Sequence, residues 1–321
     1  MSLGDIMYKT TKKKANFNNS LFIIIPVLII IIVFGVIMFI NYKNSYPVKL
    51  KKIGYTKEEI NIIKDYSKEQ IEKILTLEHD PNIIKFIEEK YFIMENLEKY
   101  LDYKKEKNDM SITDVVAVIN VGSNYEWYDQ KQIKNSDLSK DELILVNKFN
   151  ALSKDYEPED IVNVSNWYSY AGNSARDIAY QSLISLYNAA KEAGMNIIVN
   201  SSYRSYKDQE ETYQTFLYRY GKEYADNYAA RPGHSEHQTG LAFDITPPGA
   251  SMDNHDQFKE FDWLKDNAHK YGFILRYPEG KTFITGYNYE PWHFRYVGKK
   301  IAEKIYSENI TFDEYYAYYL K

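Results

Sequence analysis

The longest apolar segment of the chain lies near its N-terminus. Residues 21–40 read LFIIIPVLIIIIVFGVIMFI and contain no charged side chain. A helix rises about 1.5 Å per residue, so this segment is long enough to cross a hydrocarbon core of about 30 Å. Residues 41–44 then read NYKN, where a removed signal peptide would have a cleavage site of small residues. We therefore predict an uncleaved transmembrane anchor over residues 21–40.

The orientation of this anchor is only weakly encoded by the flanking charges. The positive-inside rule compares the Lys and Arg residues on the two sides of a span. Here the two sides are nearly balanced, with Lys9, Lys12, Lys13 and Lys14 before the span and Lys43, Lys49, Lys51 and Lys52 after it. We expect residues 1–20 to form a short cytoplasmic tail and the chain after Ile40 to lie outside the cell.

Residues 41–110 are rich in Lys and Glu and carry apolar residues at helical spacing. Ile60, Ile63, Ile71 and Ile74 recur at three or four positions, a pattern typical of short amphipathic helices. Ser67 is a candidate cap for one of them. We predict a helical stalk or spacer with no chemistry of its own. Residues 115–121, VVAVINV, are instead predicted to form a buried strand.

Residues 111–321 are predicted to form the catalytic domain, and helices alternate with short strands along them. A helix is predicted for residues 174–193 and another, with weak capping signals, for residues 207–220. Residues 196–200, 241–245 and 292–297 have the character of strands. This order indicates an α+β domain.

Composition narrows the classes of chemistry. The formal net charge is −5, which gives no electrostatic basis for binding nucleic acid. The absence of cysteine excludes disulfides, thiolate metal sites and cysteine nucleophiles, so any metal must use His, Asp or Glu. The 32 tyrosines would suit a surface that stacks on sugars or peptides, although tyrosine more often fills cores and strands.

The first candidate site surrounds His237 and Asp244 in the segment SEHQTGLAFD, residues 235–244. If residues 241–245 form a strand, Asp244 shares one face with Ala242 while the apolar residues face the other way. A charged Asp in so apolar a strand needs an ionic partner or a metal. A turn at Gly240 would bring His237 back beside Asp244. By itself, this pair is weak evidence for a metal, because chance or a simple His–Asp hydrogen bond explains it more readily.

The second candidate site is the tetrapeptide Glu290-Pro291-Trp292-His293. Proline holds the preceding residue extended, which favours placing Glu290 and His293 at the mouth of one strand. Two His and one Asp make three protein ligands, the number typical of catalytic zinc. Glu290 would then remain as a general base for a zinc-activated water. Standing alone, Glu290 also fits an ordinary surface carboxylate.

Four motifs in one order resemble the VanY-type D-alanyl-D-alanine carboxypeptidases, whose wider group includes D,D-dipeptidases, L,D-carboxypeptidases and phage cell-wall endopeptidases. They are LVNKFNALSKDYEPEDIV at 145–162, SSYRSYKDQ at 201–209, PGHSEHQTGLAFDI at 232–245 and EPWHFRYVG at 290–298. The likeness covers residues 141–305 and implies a zinc peptidase fold, with a small antiparallel sheet flanked by helices.

The resemblance also implies roles for individual residues. His237, Asp244 and His293 would bind Zn²⁺, and Glu290 would be the base. Arg204 would stabilise the oxyanion, a role that suits a guanidinium because it donates without losing its charge. Ser235, Gln209, Arg204 and Trp292 would contact the substrate, a peptidoglycan stem peptide ending in D-alanine. His234 is interpreted as lining the site or as structural, because a fourth protein ligand would close a catalytic zinc to water.

Several functions remain open at the level of sequence. An L,D-carboxypeptidase or an endopeptidase on stem peptides would share the metal site and differ only in pocket shape. A non-catalytic zinc-containing module that binds the cell wall is disfavoured, because both Glu290 and Arg204 are present. A signalling role for the membrane helix lacks support, since only a short tail would lie inside the cell.

Overall fold

The computed structural model describes residues 19–250 and 254–321. These residues divide into two compact units, of which the first ends at Ile84 and the second comprises Lys85–Lys321. The boundary falls inside the segment 41–110, which was predicted to be the stalk. The predicted cytoplasmic tail, residues 1–20, lies outside the described residues except for its last two positions.

The elements are as follows, in chain order. The helices are α1 (Asn19–Lys43), α2 (Tyr46–Lys52), α3 (Lys57–Ile63), α4 (Lys68–Thr76), α5 (Pro81–Ile87), α6 (Leu97–Glu106), α7 (Ile112–Val121), α8 (Asp177–Glu192), α9 (Tyr206–Tyr220), α10 (Lys222–Tyr228), α11 (Lys259–Asn267), α12 (Thr282–Thr285), α13 (Lys299–Glu308) and α14 (Phe312–Tyr319). The strands are β1 (Lys134–Asn135), β2 (Asn150–Ala151), β3 (Ile161–Asn163), β4 (Ser174–Arg176), β5 (Ile198–Ser201), β6 (Ala242–Thr246), β7 (Phe273–Leu275) and β8 (His293–Tyr296). Short 3₁₀ helices cover Met94–Asn96, Leu138–Leu143, Glu236–Thr239, His255–Gln257 and Ala268–Tyr271.

The first unit contains the predicted membrane segment. In α1, residues 24–43 form a helix long and apolar enough to cross a membrane, and its apolar side chains are about half exposed. The short helices that follow form as the apolar spacing predicted. Ser67 caps α4 in a capping box with Gln70, and Thr56 caps α3 in the same way with Glu59.

The prediction of a strand at residues 115–121 was wrong, because these residues form the last seven positions of α7. Val115 to Asn120 are all buried, and a fully buried apolar run has no periodicity that separates a strand from a helix. The ends of the element decide in favour of a helix. The Ser111 side chain accepts a hydrogen bond from the backbone N–H of Asp114, and Gly122 ends the helix in the left-handed conformation.

A four-stranded antiparallel sheet with the order β5-β6-β8-β7 positions the candidate site. Two smaller pairs lie beside it, β1 with β2 in parallel and β3 with β4 antiparallel. This arrangement confirms the predicted α+β class with a small antiparallel sheet. The three predicted strands of this sheet form with bounds shifted by one or two residues.

The two faces of the sheet have opposite character. Leu241, Phe243 and Ile245 join Phe294 and helix α8 in one buried apolar cluster. Because side chains alternate along a strand, Asp244 and His293 project from the other face. The alternation predicted from the sequence therefore separates the core of the domain from the candidate site.

Two of the predicted helices differ in detail. Residues 174–176 form strand β4 instead of the first turn of a helix, and α8 begins at Asp177. Its capping residue, Arg176, is held by pairing between β3 and β4, a long-range contact that local sequence does not reveal. Helix α9 has strong capping in place of the weak signals expected, since Ser205 and Asp208 form a capping box.

Candidate active site

His237 reaches the site through a tight turn that follows Ser235. It lies in the 3₁₀ helix Glu236–Thr239, which Gly240 ends in the left-handed conformation with φ 68°. A Cβ atom on Gly240 would lie 2.7 Å from Ile161 Cδ1 and 3.0 Å from Arg176 Cγ. Only glycine therefore fits both the backbone angle and the space. The turn expected at this position is present and returns His237 towards β6.

Asp244 and His293 are brought together by the pairing of β6 with β8. In the register of these strands, Asp244 is directly opposite His293. Directly opposed residues on one face have neighbouring side chains. A carboxylate oxygen of Asp244 lies 3.2 Å from His293 Nδ1. The pair is separated by 49 positions in the chain, so only the sheet register creates it.

Three donor atoms converge at this point. One ligand atom each from His237, Asp244 and His293 lies within 4.8 Å of the others. His237 Nε2 is 3.5 Å from Asp244 Oδ2. Ligands about 2.0 to 2.1 Å from a tetrahedral zinc lie roughly 3.3 Å apart. The spacing of these three side chains is thus of the size that a metal ion requires.

The protonation of His237 suits a metal ligand. Its Nδ1 lies 2.6 Å from the carbonyl oxygen of Ser202. A carbonyl oxygen only accepts, so Nδ1 carries the hydrogen and Nε2 presents a lone pair towards Asp244. Burial lowers the pKa of His237 to about 4, which keeps the ring neutral near pH 7.

The ring of His293 lies between carboxylates on both sides. Its Nδ1 faces Asp244 and Glu290, and its Nε2 is 3.6 Å from Glu236 Oε2. Burial disfavours the charged ring, but the carboxylates outweigh burial and raise the pKa of His293 to about 9. Both His293 Nε2 and Glu236 Oε2 are buried without a hydrogen-bond partner, and they face each other as an ionic pair.

Glu236 is a site residue that sequence reasoning missed. Its side chain is fully buried, and Oε1 accepts hydrogen bonds from Arg276 and Arg295 at 2.8 and 3.0 Å. Burial opposes the charged carboxylate, yet the two guanidinium groups hold the pKa of Glu236 well below its usual range. A signal for this cluster exists in the sequence, because Arg276 and Arg295 are cations within otherwise apolar strand segments.

Arg204 lies close to Asp244, in the loop between β5 and α9. Its Nη2 is 3.9 Å from Asp244 Oδ2, and its Nη1 donates to Gln209 Oε1 at 2.9 Å. Gln209 is itself anchored, because its Nε2 donates to the carbonyl oxygen of Ala230 at 2.7 Å. The buried Nε of Arg204 has no partner. The guanidinium is therefore held in place by Gln209, and its Nε–H group is not used in any hydrogen bond among the described residues.

Glu290 lies next to the three donor atoms without being one of them. Its Oε2 is 3.7 Å from His293 Nδ1, and the side chain is almost completely buried. Burial raises the pKa of Glu290 to about 8. Such a carboxylate binds a proton readily near neutral pH, which suits proton transfer.

A cavity of about 550 Å³ opens over these groups. All eight residues predicted for the site line it. The described residues that line it also include aromatic side chains that the sequence did not single out, namely Phe216, Tyr228, Phe261, Tyr277 and Tyr287. The cavity is not lined by the other four histidines, His79, His234, His255 and His269, all of which lie among the described residues. His234 contacts the carbonyl oxygen of Asn147, and His269 stacks on Tyr306. Of the six histidines, the two predicted as metal ligands, His237 and His293, are the two that line the cavity.

Comparisons with known proteins identify relatives of this chain. A family model described as VanY, D-alanyl-D-alanine carboxypeptidase, matches residues 172–299. The YodJ protein of Bacillus subtilis (strain 168) is 41% identical over 181 residues, which is 54% of this chain and 66% of that protein. A bifunctional D-Ala-D-Ala dipeptidase and D-Ala-D-Ala carboxypeptidase of Enterococcus gallinarum, VanXYC, is 35% identical over 55% of this chain and 94% of its own length.

The solved structure of the LD-carboxypeptidase LdcB is similar in both fold and sequence. It has a TM-score of 0.53 and 37% identity, and the match covers 58% of this chain and 90% of that chain. The chain spans just under two thirds of the length of the first curated relatives, between 62% and 66%. The matched region contains His237, Asp244, Glu290 and His293.

Proposed function

The chain belongs to the VanY family of D-alanyl-D-alanine carboxypeptidases, and from that premise we propose that it is a membrane-anchored zinc metallocarboxypeptidase. Its substrate would be a peptidoglycan stem peptide, from which it removes the C-terminal D-alanine. The observation that carries this proposal is the convergence of His237, Asp244 and His293 within 4.8 Å beside a buried Glu290. We further propose that residues 111–321 are the catalytic domain and that residues 41–110 form a helical stalk with no chemistry of its own.

Zinc fits the donor set. Two imidazoles and one carboxylate are ligands typical of catalytic zinc, and the buried Oδ1 of Asp244 has no hydrogen-bond partner. His237, Asp244 and His293 would hold the ion. When bound, zinc acts as a Lewis acid and lowers the pKa of water to roughly 7. Three protein ligands leave a position open for substrate or water.

Glu290 is proposed as the general base. Water attacks the scissile carbonyl carbon, and the Glu290 carboxylate takes the proton that the water loses. It then passes this proton to the leaving amine of D-alanine. Burial raises the pKa of Glu290 to about 8, and a pKa near the working pH makes both transfers efficient.

Arg204 is proposed to stabilise the negative charge that develops on the carbonyl oxygen. Such donors act in a site from which water is excluded, and the loss of one typically costs at least about 10²-fold in rate. The fixed position of the guanidinium beside Gln209 supports this role. We further propose that Ser235, Gln209 and Trp292, which line the cavity, contact the substrate near its terminal carboxylate.

An L,D-carboxypeptidase is the second candidate, and the likeness to LdcB favours it. Such an enzyme would remove D-alanine from tetrapeptide stems. The full-length protein in detergent should be incubated separately with stem pentapeptide and stem tetrapeptide, and the released D-alanine measured. Release from the pentapeptide supports the proposed function, whereas release from the tetrapeptide alone supports the second candidate. Absence of release from both, with retained binding, would support a non-catalytic module.

A further inference from the structure

One wall of the catalytic cavity is built along helix α9. Gln209, Thr212 and Phe216 line the cavity, and residues at this spacing share one face of a helix. The wall therefore extends over seven residues, or about 10 Å at 1.5 Å per residue. It begins beside Arg204, which Gln209 contacts directly.

A row of aromatic rings continues from the far end of this wall. Phe216 and Tyr228 line the cavity. Tyr224 lies 4.6 Å from Tyr228 between ring centroids, and Tyr220 lies 4.7 Å from Tyr224 and 5.7 Å from Phe216. Tyr220 is 54% exposed and Tyr224 36% exposed. The aromatic row, Phe216, Tyr220, Tyr224 and Tyr228, thus leads from the cavity to the surface.

The distance from the reaction centre to this surface matches the length of the proposed substrate. Gln209 and Tyr220 are eleven residues apart on α9, which corresponds to about 16 Å. A stem peptide of about five residues is roughly 17 Å long when extended. If its C-terminus lies beside Arg204 and it follows α9, its N-terminus lies near Tyr220. In peptidoglycan this N-terminus is joined to the sugar chain.

The chemistry of the row suits a sugar. The faces of aromatic rings carry partial negative charge, and tyrosine combines an apolar ring with a polar hydroxyl group. The C–H face of a pyranose ring is apolar, while its edge carries hydroxyl groups. Exposed aromatic surface next to a polar rim is typical of a binding site. Sugar binding would also give a function to three of the 32 tyrosines, Tyr220, Tyr224 and Tyr228.

We propose that the aromatic row binds the amino-sugar chain to which the stem peptide is attached. This inference rests on the proposed function and adds its substrate class: glycan-linked stem peptides, in preference to free peptides. The sugar would lie over Tyr220 and Tyr224, and the peptide would run along α9 to the reaction centre.

The test compares two substrates for one variant. The Tyr220→Ala/Tyr224→Ala protein, full-length in detergent, is assayed for D-alanine release from free pentapeptide and from pentapeptide attached to a sugar chain. We expect kcat/KM to fall about three- to tenfold for the glycan-linked substrate. It should be unchanged for the free peptide.

Two further variants distinguish the loss of contact with the tyrosine rings from a general disturbance of helix α9. Tyr218 lies on the same helix, is 92% exposed, and points away from the row because two residues rotate by about 200°. Tyr218→Ala should leave both rates unchanged. Tyr220→Phe keeps the ring and should retain most of the preference. Thermal unfolding of each variant checks that the helix remains folded.

Other outcomes overturn the inference. Equal losses on both substrates mean that the row acts on the peptide or on the fold, and equal rates in variant and wild type mean that it binds no sugar. If the wild type releases no D-alanine at all, the proposed function fails separately. In that case the wild type and the double variant are each titrated with peptide-free oligosaccharide. The inference requires the double variant to bind the oligosaccharide more weakly than the wild type does.

Discussion

Glu290 Oε2 lies 3.7 Å from His293 Nδ1, on the side of the ring that also faces Asp244. The two residues are three positions apart, yet their proposed roles differ: one side chain moves a proton and the other holds the metal. Pro291 lies between them and fixes the local chain direction. This difference in role can be measured.

Glu290→Gln and His293→Ala should therefore have different effects. Glu290→Gln keeps the size of the side chain but removes the base, so turnover should fall about 10²- to 10⁴-fold with zinc retained. His293→Ala should lose both zinc and activity, because two protein ligands rarely hold a catalytic zinc. Metal analysis and D-alanine release are the measurements. Wild-type turnover in Glu290→Gln would contradict the assignment of the base.

Glu236→Gln should weaken zinc binding although Glu236 is not a ligand. The carboxylate faces His293 Nε2, and partners of this kind orient metal-binding histidines, with losses of about 10- to 100-fold in affinity. Competition with a chelator measures the change. Asp313→Asn is the matched control, because it removes another carboxylate partner of Arg276. Equal zinc affinity in both variants would show that Glu236 acts only through stability.

Gly240→Ala should destabilise the fold more than Gly194→Ala. Both glycines have positive φ, so each substitution costs about 1 kcal/mol or more in backbone strain. A Cβ atom at Gly194 meets open space, whereas one at Gly240 meets Ile161 and Arg176, which adds about 1 to 3 kcal/mol. Urea unfolding measures both losses. Similar values for the two variants would mean that the neighbours move aside easily.

Lys148 should make stability depend on pH. Its side chain is buried, donates to the carbonyl oxygens of Asp226 and Gly286, and lies 4.4 Å from the centre of the Tyr287 ring. Burial lowers the pKa of Lys148 to about 8 from 10.5. Between these values the unfolded chain binds more protons, so this group contributes increasing stability as pH rises through that interval.

The size of the Lys148 effect can be isolated with Lys148→Met, which does not titrate. The stability of the wild type relative to this variant should rise by up to about 3 kcal/mol between pH 8 and 10.5. Below pH 8 the difference should be flat. The measurement is urea unfolding of both proteins at each pH. A constant difference across the whole range would show that Lys148 keeps its ordinary pKa.

Helix α1 should hold the protein in the membrane. After cell fractionation, the chain should sediment with membranes and resist extraction at high salt, because residues 21–40 contain no charged side chain and residues 24–43 form a helix long and apolar enough to cross a membrane. Protease added to intact cells should digest the segment beyond residue 43 if that segment lies outside. Digestion only after lysis would reverse the proposed orientation.

The sequence determined those features that depend on neighbours along the chain. The uncharged segment 21–40 specifies a long apolar helix, and the alternation around Asp244 and His293 specifies which strand face is polar. The four motifs identified the family and contain eight of the residues that line the cavity. Local pattern failed at residues 115–121, since a buried run of β-branched residues fits both a strand and a helix.

Only the tertiary structure decided which distant residues meet. The register of β6 against β8 places Asp244 opposite His293, and a shift of one residue would turn one of them into the core. Glu236 meets Arg276 and Arg295 across 40 and 59 positions, so no local pattern could pair them. The aromatic row forms because α9 and α10 pack side by side. Contacts of this kind follow from strand register and helix packing, which are properties of the whole fold.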